Sequence, residues 1–393
     1  MDRLDRPPII IPTPSGYQFA RLVEEHLRQT YLPKRGLTAR PGDLWATPEV
    51  TIFADTDAVV EITEHIRGDD VYIICDVESW ATPVPSFEDG IHQKHKIRLE
   101  SERCLVTQDG RSLAVSPGKI SVAQQFDVLL STIEAARNAV KESGRITAVL
   151  PFFPSSRQDR RGGRKSLDLK RRVSMLEACG CDHVLTLDIH NESTELAFDA
   201  HTGFDSLISA HTIIRHLRET RKAGDTYIVA PDAGAFKRNR IYAEQLGLPV
   251  SFLYKHRDQG HPNVVQGVIG FGGNVEDLRG QDVIIVDDIV DTGATLIEAL
   301  HFLDEAGAGQ VTAIASHAIL SPPAIDRLGQ AVREGLLHEL VVTNSIAHPA
   351  TTTGQPWLTV VDISKYHGKA IDRLNQMESL AELLESELRK GSG

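Results

Sequence analysis

The chain is poor in cysteine and in long apolar runs, and each shortage argues against a class of function. Four of its 393 residues are cysteines, and their spacing is not that of a zinc site. Its apolar runs are too short to cross a bilayer, and the proline-broken segment that begins the sequence is not expected to be a signal peptide. We therefore expect reduced thiols and a cytoplasmic protein that does not enter membranes.

Positive charge is also in short supply. The chain has 42 lysine and arginine residues against 54 aspartate and glutamate residues, which gives a formal net charge of −12. A surface with this balance repels nucleic acids and anionic lipids, so neither is an expected partner, although a local basic pocket is compatible with it. With 41% hydrophobic and 24% charged residues, the chain is typical of a globular protein, and its length allows two domains.

Short apolar runs alternate with amphipathic stretches along most of the chain. The run "IIIPT" at 9–13 precedes a helical stripe, and Ser121 with Gln124 has the spacing of a capping box before a long helix. Alternating strands and helices predict parallel sheets in an α/β architecture. The other predicted strands are 70–77, 146–153, 183–190, 226–230, 250–255, 282–290, 311–317, 339–344 and 358–363.

Two pairs of segments echo each other in the same order. Residues 9–27 are similar to 227–247, and "RGDDVYIICDV" at 67–77 is similar to "RGQDVIIVDDI" at 279–289. This internal pseudo-repeat predicts two related α/β domains with mainly parallel sheets, which we place at 1–160 and 161–393. Residues 81–120 interrupt the alternation with polar residues and prolines, and are expected to form an inserted β-hairpin or a long loop.

The predicted strand at 282–290 runs into carboxylates and then into small residues. Asp287 and Asp288 are neighbouring charges, which is costly unless sugar hydroxyls or a cation such as Mg²⁺ face them. The loop that follows should begin a helix, whose N–H groups, with two threonine hydroxyls, suit a phosphate. Carboxylates at one end and a phosphate site at the other fit ribose 5-phosphate, with an acidic surface turn as the alternative. The residues of this loop are Asp291, Thr292, Gly293, Ala294 and Thr295.

This loop resembles the phosphoribosyl-binding motif of type I phosphoribosyltransferases and of ribose-phosphate pyrophosphokinases. Other segments resemble the second family, in one order along almost the whole chain outside 81–120. They include "FADTD", "AVLPFFPSSRQDRR", "LTLDIHNES", "IVAPDAGAFKR" and "FLYKHR". The sequence is therefore identified as a divergent member of the ribose-phosphate pyrophosphokinase family, with two phosphoribosyltransferase-like domains.

The resemblance implies a role for each of these segments. ATP contacts are implied for Phe53, Asp55, Asp57, Arg157 and Gln158, of which the first three would reach the ATP of a neighbouring subunit; taken alone, Phe53 also fits a core position. Mg²⁺ is the implied cofactor, with His190 and Asp232 as its ligands. Lys255 and Arg257 are the implied catalytic cations, leading into a flexible segment. Self-association is implied as well, as dimers assembled into a hexamer.

The expected reaction transfers the pyrophosphoryl group of Mg-ATP to the 1-hydroxyl of ribose 5-phosphate, giving phosphoribosyl pyrophosphate and AMP. Three alternatives stay open: a phosphoribosyltransferase, a catalytically silent regulatory homologue, and a pyrophosphokinase with a larger ribose-phosphate acceptor. The presence of Lys255, Arg257, His190 and Asp232 argues against the silent homologue. The departures from the family pattern, at 154–156, Ala235 and His256, concern nucleotide choice and regulation more than the type of reaction.

Overall fold

A computed structural model describes residues 6–85, 93–101, 103–141, 144–159, 163–220, 226–232, 234–257 and 265–383, with the backbone alone at 254–257 and 265–271. Its strands are β1 Ile9–Pro12, β2 Pro48–Ile52, β3 Ala58–Ile62, β4 Asp70–Ile74, β5 Thr82–Pro85, β6 His95–Leu99, β7 Cys104–Gln108, β8 Arg111–Ser112, β9 Val115–Gly118, β10 Arg145–Leu150, β11 His183–Leu187, β12 Gly203–Leu207, β13 Thr226–Ala230, β14 Val250–Arg257, β15 Val265–Phe271, β16 Asp282–Val290, β17 Val311–Ala318, β18 Glu339–Thr343 and β19 Leu358–Val361.

The α-helices of the described residues follow most of the parallel strands. They are α1 Tyr17–His26, α2 Val122–Val140, α3 Asp168–Ala178, α4 Ala210–Thr220, α5 Phe236–Leu246, α6 Ala294–Glu305, α7 Ala324–Arg333, α8 Ala350–Thr353 and α9 Ser364–Asn375. At the start of α2, the Ser121 hydroxyl accepts a hydrogen bond from the Gln124 N–H at 3.2 Å, so the expected N-terminal cap is present. Among the residues that the structure describes, no helix is long and apolar enough to cross a membrane.

The chain forms two compact units. The first contains the described residues up to Ile208, together with Ser345–Pro349 and the described residues from Ile363 onwards. The second contains Ser209–Asn344 and Ala350–Asp362. The division therefore falls later in the chain than residue 160, where the sequence analysis places it, because β11 and β12 continue the sheet of the first unit.

Each unit is built on a mainly parallel sheet. The strand order is β1-β4-β10-β11-β12 in the first unit, with every pairing parallel. In the second unit the order is β15-β14-β13-β16-β17-β18-β19, and the pairing of β14 with β15 is antiparallel. Strands β4 and β17 are buried along their whole length, as the continuous apolar runs of parallel sheets require. The predicted α/β architecture is confirmed.

The two sheets share one topology over five strands. The order β1-β4-β10-β11-β12 corresponds to β13-β16-β17-β18-β19, with parallel pairing throughout both. Strands β1 and β4 lie in the first-half segments that echo β13 and β16, so the pseudo-repeat in the sequence coincides with a repeat of the fold. In both units, ligands are expected outside the carboxyl ends of these strands.

The segment 81–120 takes the form of strands. Strands β6, β7 and β8 extend the hairpin of β2 and β3 into a sheet of order β3-β2-β6-β7-β8, and β5 pairs with β9 in a two-stranded ribbon. Residues 86–92 and 102 lie outside the described residues. The insertion therefore packs additional strands onto the hairpin that carries Phe53, Asp55 and Asp57.

Helix α9 completes the core of the first unit. The Arg35 guanidinium donates hydrogen bonds to Asp372 at 3.2 Å and to Asn375 at 2.8 Å, and the rings of Phe19 and His367 meet edge to face with centroids 5.1 Å apart. Ile371 is fully buried in the same cluster as residues of α1. These contacts explain why a late segment of the chain belongs to the first unit.

Candidate active site

The ribose-phosphate loop predicted from the sequence joins β16 to α6 in the second unit. Gly293 precedes the helix with φ +76°, a left-handed conformation that residues with a Cβ rarely adopt. The Thr292 carbonyl accepts a hydrogen bond from Arg327 at 2.8 Å, which fixes the loop against the segment of α7. The first turn of α6 has no side-chain cap at Gly293, so its N–H groups are available to an anion. Thr292 and Thr295 place two hydroxyls at this turn.

The two carboxylates lie within β16, directly before this loop. Asp287 accepts a hydrogen bond from the Asp288 N–H at 2.9 Å, and Asp288 is 5% exposed. An Arg238 nitrogen lies 3.5 Å from Asp288 Oδ1. Burial, and next the charge of Asp288, raise the pKa of Asp287 to about 7, against a smaller lowering by Arg238. A pair that is this costly to ionise in the free protein is suited to hydroxyl donors.

Two residues that the sequence analysis did not single out hold this pair in place. Arg238, on α5, places a positive charge 3.5 Å from the Asp288 carboxylate. Asn239 is fully buried, and its amide donates to the Val286 carbonyl at 2.7 Å and to the Ala235 carbonyl at 2.9 Å. Both residues belong to the polar run "KRNR" at 237–240, which is visible in the sequence. That this run packs against β16 is known only from the fold.

Asp232 lies at the same sheet edge as the carboxylate pair. It follows β13, which pairs in parallel with β16, with Val229 opposite Ile285. Its Oδ1 accepts a hydrogen bond from the Ala235 N–H at 3.0 Å, and the side chain is exposed. The structure thus brings together Asp232, Asp287, Asp288 and the loop 291–295 in one unit.

Arg157, Gln158 and His190 lie at the corresponding edge of the first unit. Arg157 and Gln158 are exposed in a turn after β10, where the Gln158 N–H donates to the Ser155 carbonyl at 2.8 Å. His190 is exposed after β11, the parallel neighbour of β10. Strand β11 ends at Leu187, three residues before His190, so the strand is shorter than the predicted 183–190.

Phe53, Asp55 and Asp57 share the turn between β2 and β3. The Phe53 N–H donates to the Asp57 carbonyl at 2.8 Å, and the Asp57 N–H donates to the Asp55 carboxylate at 3.3 Å. Both carboxylates are exposed, whereas Phe53 is partly exposed with the Lys94 ammonium 5.0 Å from its ring centroid. Phe53 is therefore outside the core, and all three side chains project from one surface turn.

Lys255 and Arg257 belong to strand β14, whose backbone pairs with β15. Lys255 lies opposite Val268 and Arg257 opposite Val265, with register shifts between them. The strand continues to Arg257, two residues beyond the predicted end at 255. Their side chains, and residues 258–264, lie outside what the structure describes.

We predict that Asp287→Asn stabilises the free protein above pH 7. The folded-state pKa of about 7 exceeds the usual 3.8, so the favourable contribution of the protonated carboxyl is complete below pH 3.8 and is lost as the pH rises through 7. Asparagine carries no charge and avoids that loss. Thermal unfolding should give a variant Tm higher than wild type by on the order of several degrees at pH 8, and by less at pH 5. An equal difference at both pH values would contradict the assignment.

Three known domain families match this chain. The N-terminal domain of ribose phosphate pyrophosphokinase matches residues 15–180, the phosphoribosyl transferase domain matches 205–325, and the phosphoribosyl synthetase-associated domain matches 272–385. The first of these covers the hairpin and turn residues of the first unit, and the second covers Asp232 and the loop 291–295.

Relatives and a solved structure agree with these matches. A ribose-phosphate pyrophosphokinase of Synechococcus elongatus is 30% identical over 333 residues, covering 84% of each chain, and one of Gloeobacter violaceus is 31% identical over 388 residues, covering 96% of this chain and 98% of the relative. The phosphoribosylpyrophosphate synthetase of Mycobacterium smegmatis has the same fold, with a TM-score of 0.69 at 24% identity over 94% of this chain and 99% of that one. The chain belongs to the ribose-phosphate pyrophosphokinase family.

Proposed function

We propose that this protein transfers the pyrophosphoryl group of ATP to the 1-hydroxyl of ribose 5-phosphate, giving phosphoribosyl pyrophosphate and AMP. The observation that carries the proposal is the arrangement in the second unit, where the partly buried Asp287 and the buried Asp288 near the end of β16 are followed by an uncapped helix start. Free ribose 5-phosphate presents one phosphate and a pair of vicinal hydroxyls, which match these two features. Family membership over both units supports a pyrophosphokinase over a transferase.

The sugar phosphate is bound by the second unit in this proposal. N–H groups at the start of α6 and the hydroxyls of Thr292 and Thr295 donate to the 5-phosphate. Asp287 and Asp288 accept hydrogen bonds from the sugar hydroxyls, and the Arg238 guanidinium beside Asp288 orients that carboxylate. The positive φ of Gly293 lets the chain turn sharply between these two sets of groups.

ATP is bound by residues of the first unit and by a neighbouring subunit. Arg157 and Gln158 offer a planar cation and an amide in an exposed turn, which suit the phosphates and the base of a nucleotide. Phe53 offers a partly exposed ring for stacking, and Asp55 with Asp57 offers acceptors on the same turn. These roles, with the catalytic role of Lys255 and Arg257, are part of the proposal.

Mg²⁺ is the proposed cofactor. Within the described residues, no three His, Cys, Asp or Glu side chains are grouped so that they could hold a metal ion. Mg²⁺ usually keeps several waters and is held by one or two carboxylates plus substrate phosphates, so the exposed Asp232 fits direct contact and the exposed His190 would contact one of the waters of the ion. When bound, Mg²⁺ would neutralise the phosphates of ATP.

The test of the proposed function is the dependence of AMP formation on ribose 5-phosphate. The purified protein, ATP and Mg²⁺ should give AMP when ribose 5-phosphate is present and almost none when it is absent. Ribose without the phosphate is the matched control, and it should fail because the helix start of α6 has no anion to bind. AMP formation that ignores the sugar phosphate, or formation of ADP in its place, would disprove the proposal.

Activity should depend on Mg²⁺ through His190 and Asp232. We expect His190→Ala and Asp232→Ala to lower activity and to raise the Mg²⁺ concentration needed for half-maximal activity. Asp199→Ala is the control, since Asp199 is an exposed carboxylate paired with Lys170 at 3.1 Å. Activity is measured across a Mg²⁺ titration for each variant, and an unchanged requirement in both His190→Ala and Asp232→Ala would remove these residues from the site.

We also propose that the protein is a homo-oligomer built of dimers, with a hexamer expected. The proposal depends on Phe53, Asp55 and Asp57 serving the ATP of a neighbouring subunit, and their exposed common turn is compatible with that role. Light scattering coupled to size exclusion measures the mass of the active species. A fully active monomer of 43.2 kDa would contradict this prediction. A cytoplasmic location belongs to the same set of proposals.

A further inference from the structure

A cavity of about 310 Å³ lies within the first unit, apart from the residues that we assign to catalysis. Its walls come from the turn after β1, the ribbon strand β5, the start of α2, and the sheet that contains β2, β3 and β6. Two of these pieces, β5 and β6, belong to the inserted segment 81–120. The insertion therefore helps to build a concave space that is open on one side.

The cavity takes the place in the first unit that the ribose-phosphate loop takes in the second. In the shared topology β1 corresponds to β13, and the cavity is lined by Pro14 and Ser15 where the second unit has the Asp232 turn. Helix α2 is the first α-helix after β4, as α6 is the first after β16, and Lys119, Ile120 and Ser121 just before α2 line the cavity. The repeated fold thus presents a second concavity outside the carboxyl ends of its strands.

The polar groups of this cavity differ from those of the ribose-phosphate site. Ser15, Thr82 and Gln125 line it and are 6%, 1% and 4% exposed. The Gln125 amide accepts from the Thr82 hydroxyl at 3.3 Å and donates over long distances, 3.3 Å to the Ile120 carbonyl and 3.5 Å to the Ser79 carbonyl. Buried hydroxyls and an amide, with long and therefore weak bonds, favour a neutral polar ligand group.

Charge in the lining is balanced. The charged residues of unambiguous sign are Lys119 and the exposed Asp127. The Lys119 ammonium donates to Glu78 at 2.8 Å and lies 4.8 Å from the centroid of the Trp80 ring, so it is already engaged. Among the described lining residues, Lys119 therefore offers no uncompensated charge to an anion such as a sugar phosphate. The other walls are largely apolar, with Ile52, Val84 and Ile97 among them.

We propose that this cavity binds a small, neutral aromatic heterocycle that carries a carboxamide-like pair of donor and acceptor groups on its edge. A volume of about 310 Å³ is at the lower end of the range of roughly 300–1,000 Å³ for ligand sites, which limits the ligand to one or two rings. Apolar walls suit the ring faces, and the Gln125 amide with the Thr82 hydroxyl suits the polar edge.

Binding would act on the hairpin that carries Phe53, Asp55 and Asp57, a consequence that rests on the proposed function. Ile52, Thr56 and Ala58, which flank or belong to the same turn, line the cavity. Thr56 has φ +73°, and its N–H donates to the Phe53 carbonyl at 2.9 Å. A ligand packed against this turn would restrict its motion and change the apparent affinity for ATP.

Nicotinamide is the probe, because it has a neutral aromatic ring with a carboxamide, and nicotinate is its charged match. Titration of the full-length protein, followed by ligand-observed NMR, should show saturable binding of nicotinamide and at least about tenfold weaker binding of nicotinate, since burying an unpaired carboxylate is costly. Equal binding of both, or binding of neither, would overturn the proposal.

Variants locate the binding. Val84→Trp on β5 should fill the cavity and weaken the binding of nicotinamide at least about tenfold, a factor that corresponds to 1.4 kcal/mol. Val115→Trp is the matched control, because Val115 is 43% exposed on the paired strand β9 and does not line the cavity. Gln125→Met keeps a similar shape and should weaken binding through the lost amide. Undiminished binding to Val84→Trp and to Gln125→Met would place the probe elsewhere and overturn the site.

A kinetic measurement separates the site from its effect. Saturating nicotinamide should change the KM for ATP at least about threefold in wild type and Val115→Trp, and leave Val84→Trp unchanged. Specific binding without any change in that KM would overturn the coupling to the hairpin. If the protein binds nicotinamide as described but never forms AMP, the proposed function fails while the cavity assignment stands.

Discussion

Replacing Asp288 by alanine is expected to weaken ribose 5-phosphate binding by about fivefold to somewhat more than a hundredfold. Asp288 is 5% exposed, and its ion-pair partner Arg238 lies 3.5 Å away, so the substitution leaves a partly buried guanidinium without that partner and a sugar hydroxyl without its acceptor. An unsatisfied buried polar group costs roughly 1–3 kcal/mol, which corresponds to that range of affinity. Calorimetric titration with ribose 5-phosphate measures the loss, and the affinity for ATP should barely change.

Asp282→Ala is the matched control for this experiment. Asp282 begins the same strand, and its carboxylate accepts a hydrogen bond from the Gln310 N–H at 2.9 Å, at the end of β16 away from the loop. We expect Asp282→Ala to have a small effect on stability and no effect on the affinity for ribose 5-phosphate. If Asp288→Ala abolishes ATP binding while ribose 5-phosphate still binds, our assignment of the two pockets is reversed.

Lys255→Ala should reduce turnover by on the order of a hundredfold or more, with little change in the apparent affinity for either substrate. Negative charge shifts during the transfer onto the oxygen that leaves with AMP, so a cation that meets it there stabilises the transition state more than the bound substrates. Arg257→Ala should behave similarly, and the double variant should lose less than the product of the two single effects, because both cations act on one transition state.

Steady-state kinetics with both substrates varied measure this effect. Arg240→Ala is the control, since Arg240 is a largely exposed cation paired with Glu244 at 3.1 Å on helix α5. A raised KM with unchanged turnover in Lys255→Ala would limit that residue to substrate binding, and the catalytic role would belong to another group.

The sequence predicts well what depends on continuous local patterns. Strands β13 and β16 begin and end at the predicted residues, because strands of buried parallel sheets have nearly continuous apolar sequences. The turn from β16 into α6 was predicted in the same way, from carboxylates, threonines and a glycine that are adjacent in the chain, and its role in binding ribose 5-phosphate stays a prediction. The N-terminal cap of α2 followed from a spacing of three residues.

What the sequence does not show depends on pairing between distant segments. Arg238 and Asn239 gain their roles from the packing of α5 on β16, which no local pattern encodes. The predicted domain boundary at 160 is too early because β11 and β12 continue the sheet of the first unit. The apolar sequence of a strand does not show which other strand it will pair with. The cavity combines the turn after β1, the inserted strands and the start of α2, so it exists only in the folded unit.

Pyrophosphoryl transfer to the anomeric hydroxyl is tested most directly by following an oxygen isotope through the reaction. Ribose 5-phosphate labelled with ¹⁸O at the anomeric hydroxyl is converted with ATP, and ³¹P NMR locates the label in the products. If this hydroxyl attacks the β-phosphorus, the label occupies the oxygen that joins C1 to the pyrophosphoryl group, and AMP is released unlabelled. Label in AMP, or ADP as the nucleotide product, would contradict pyrophosphoryl transfer by this protein.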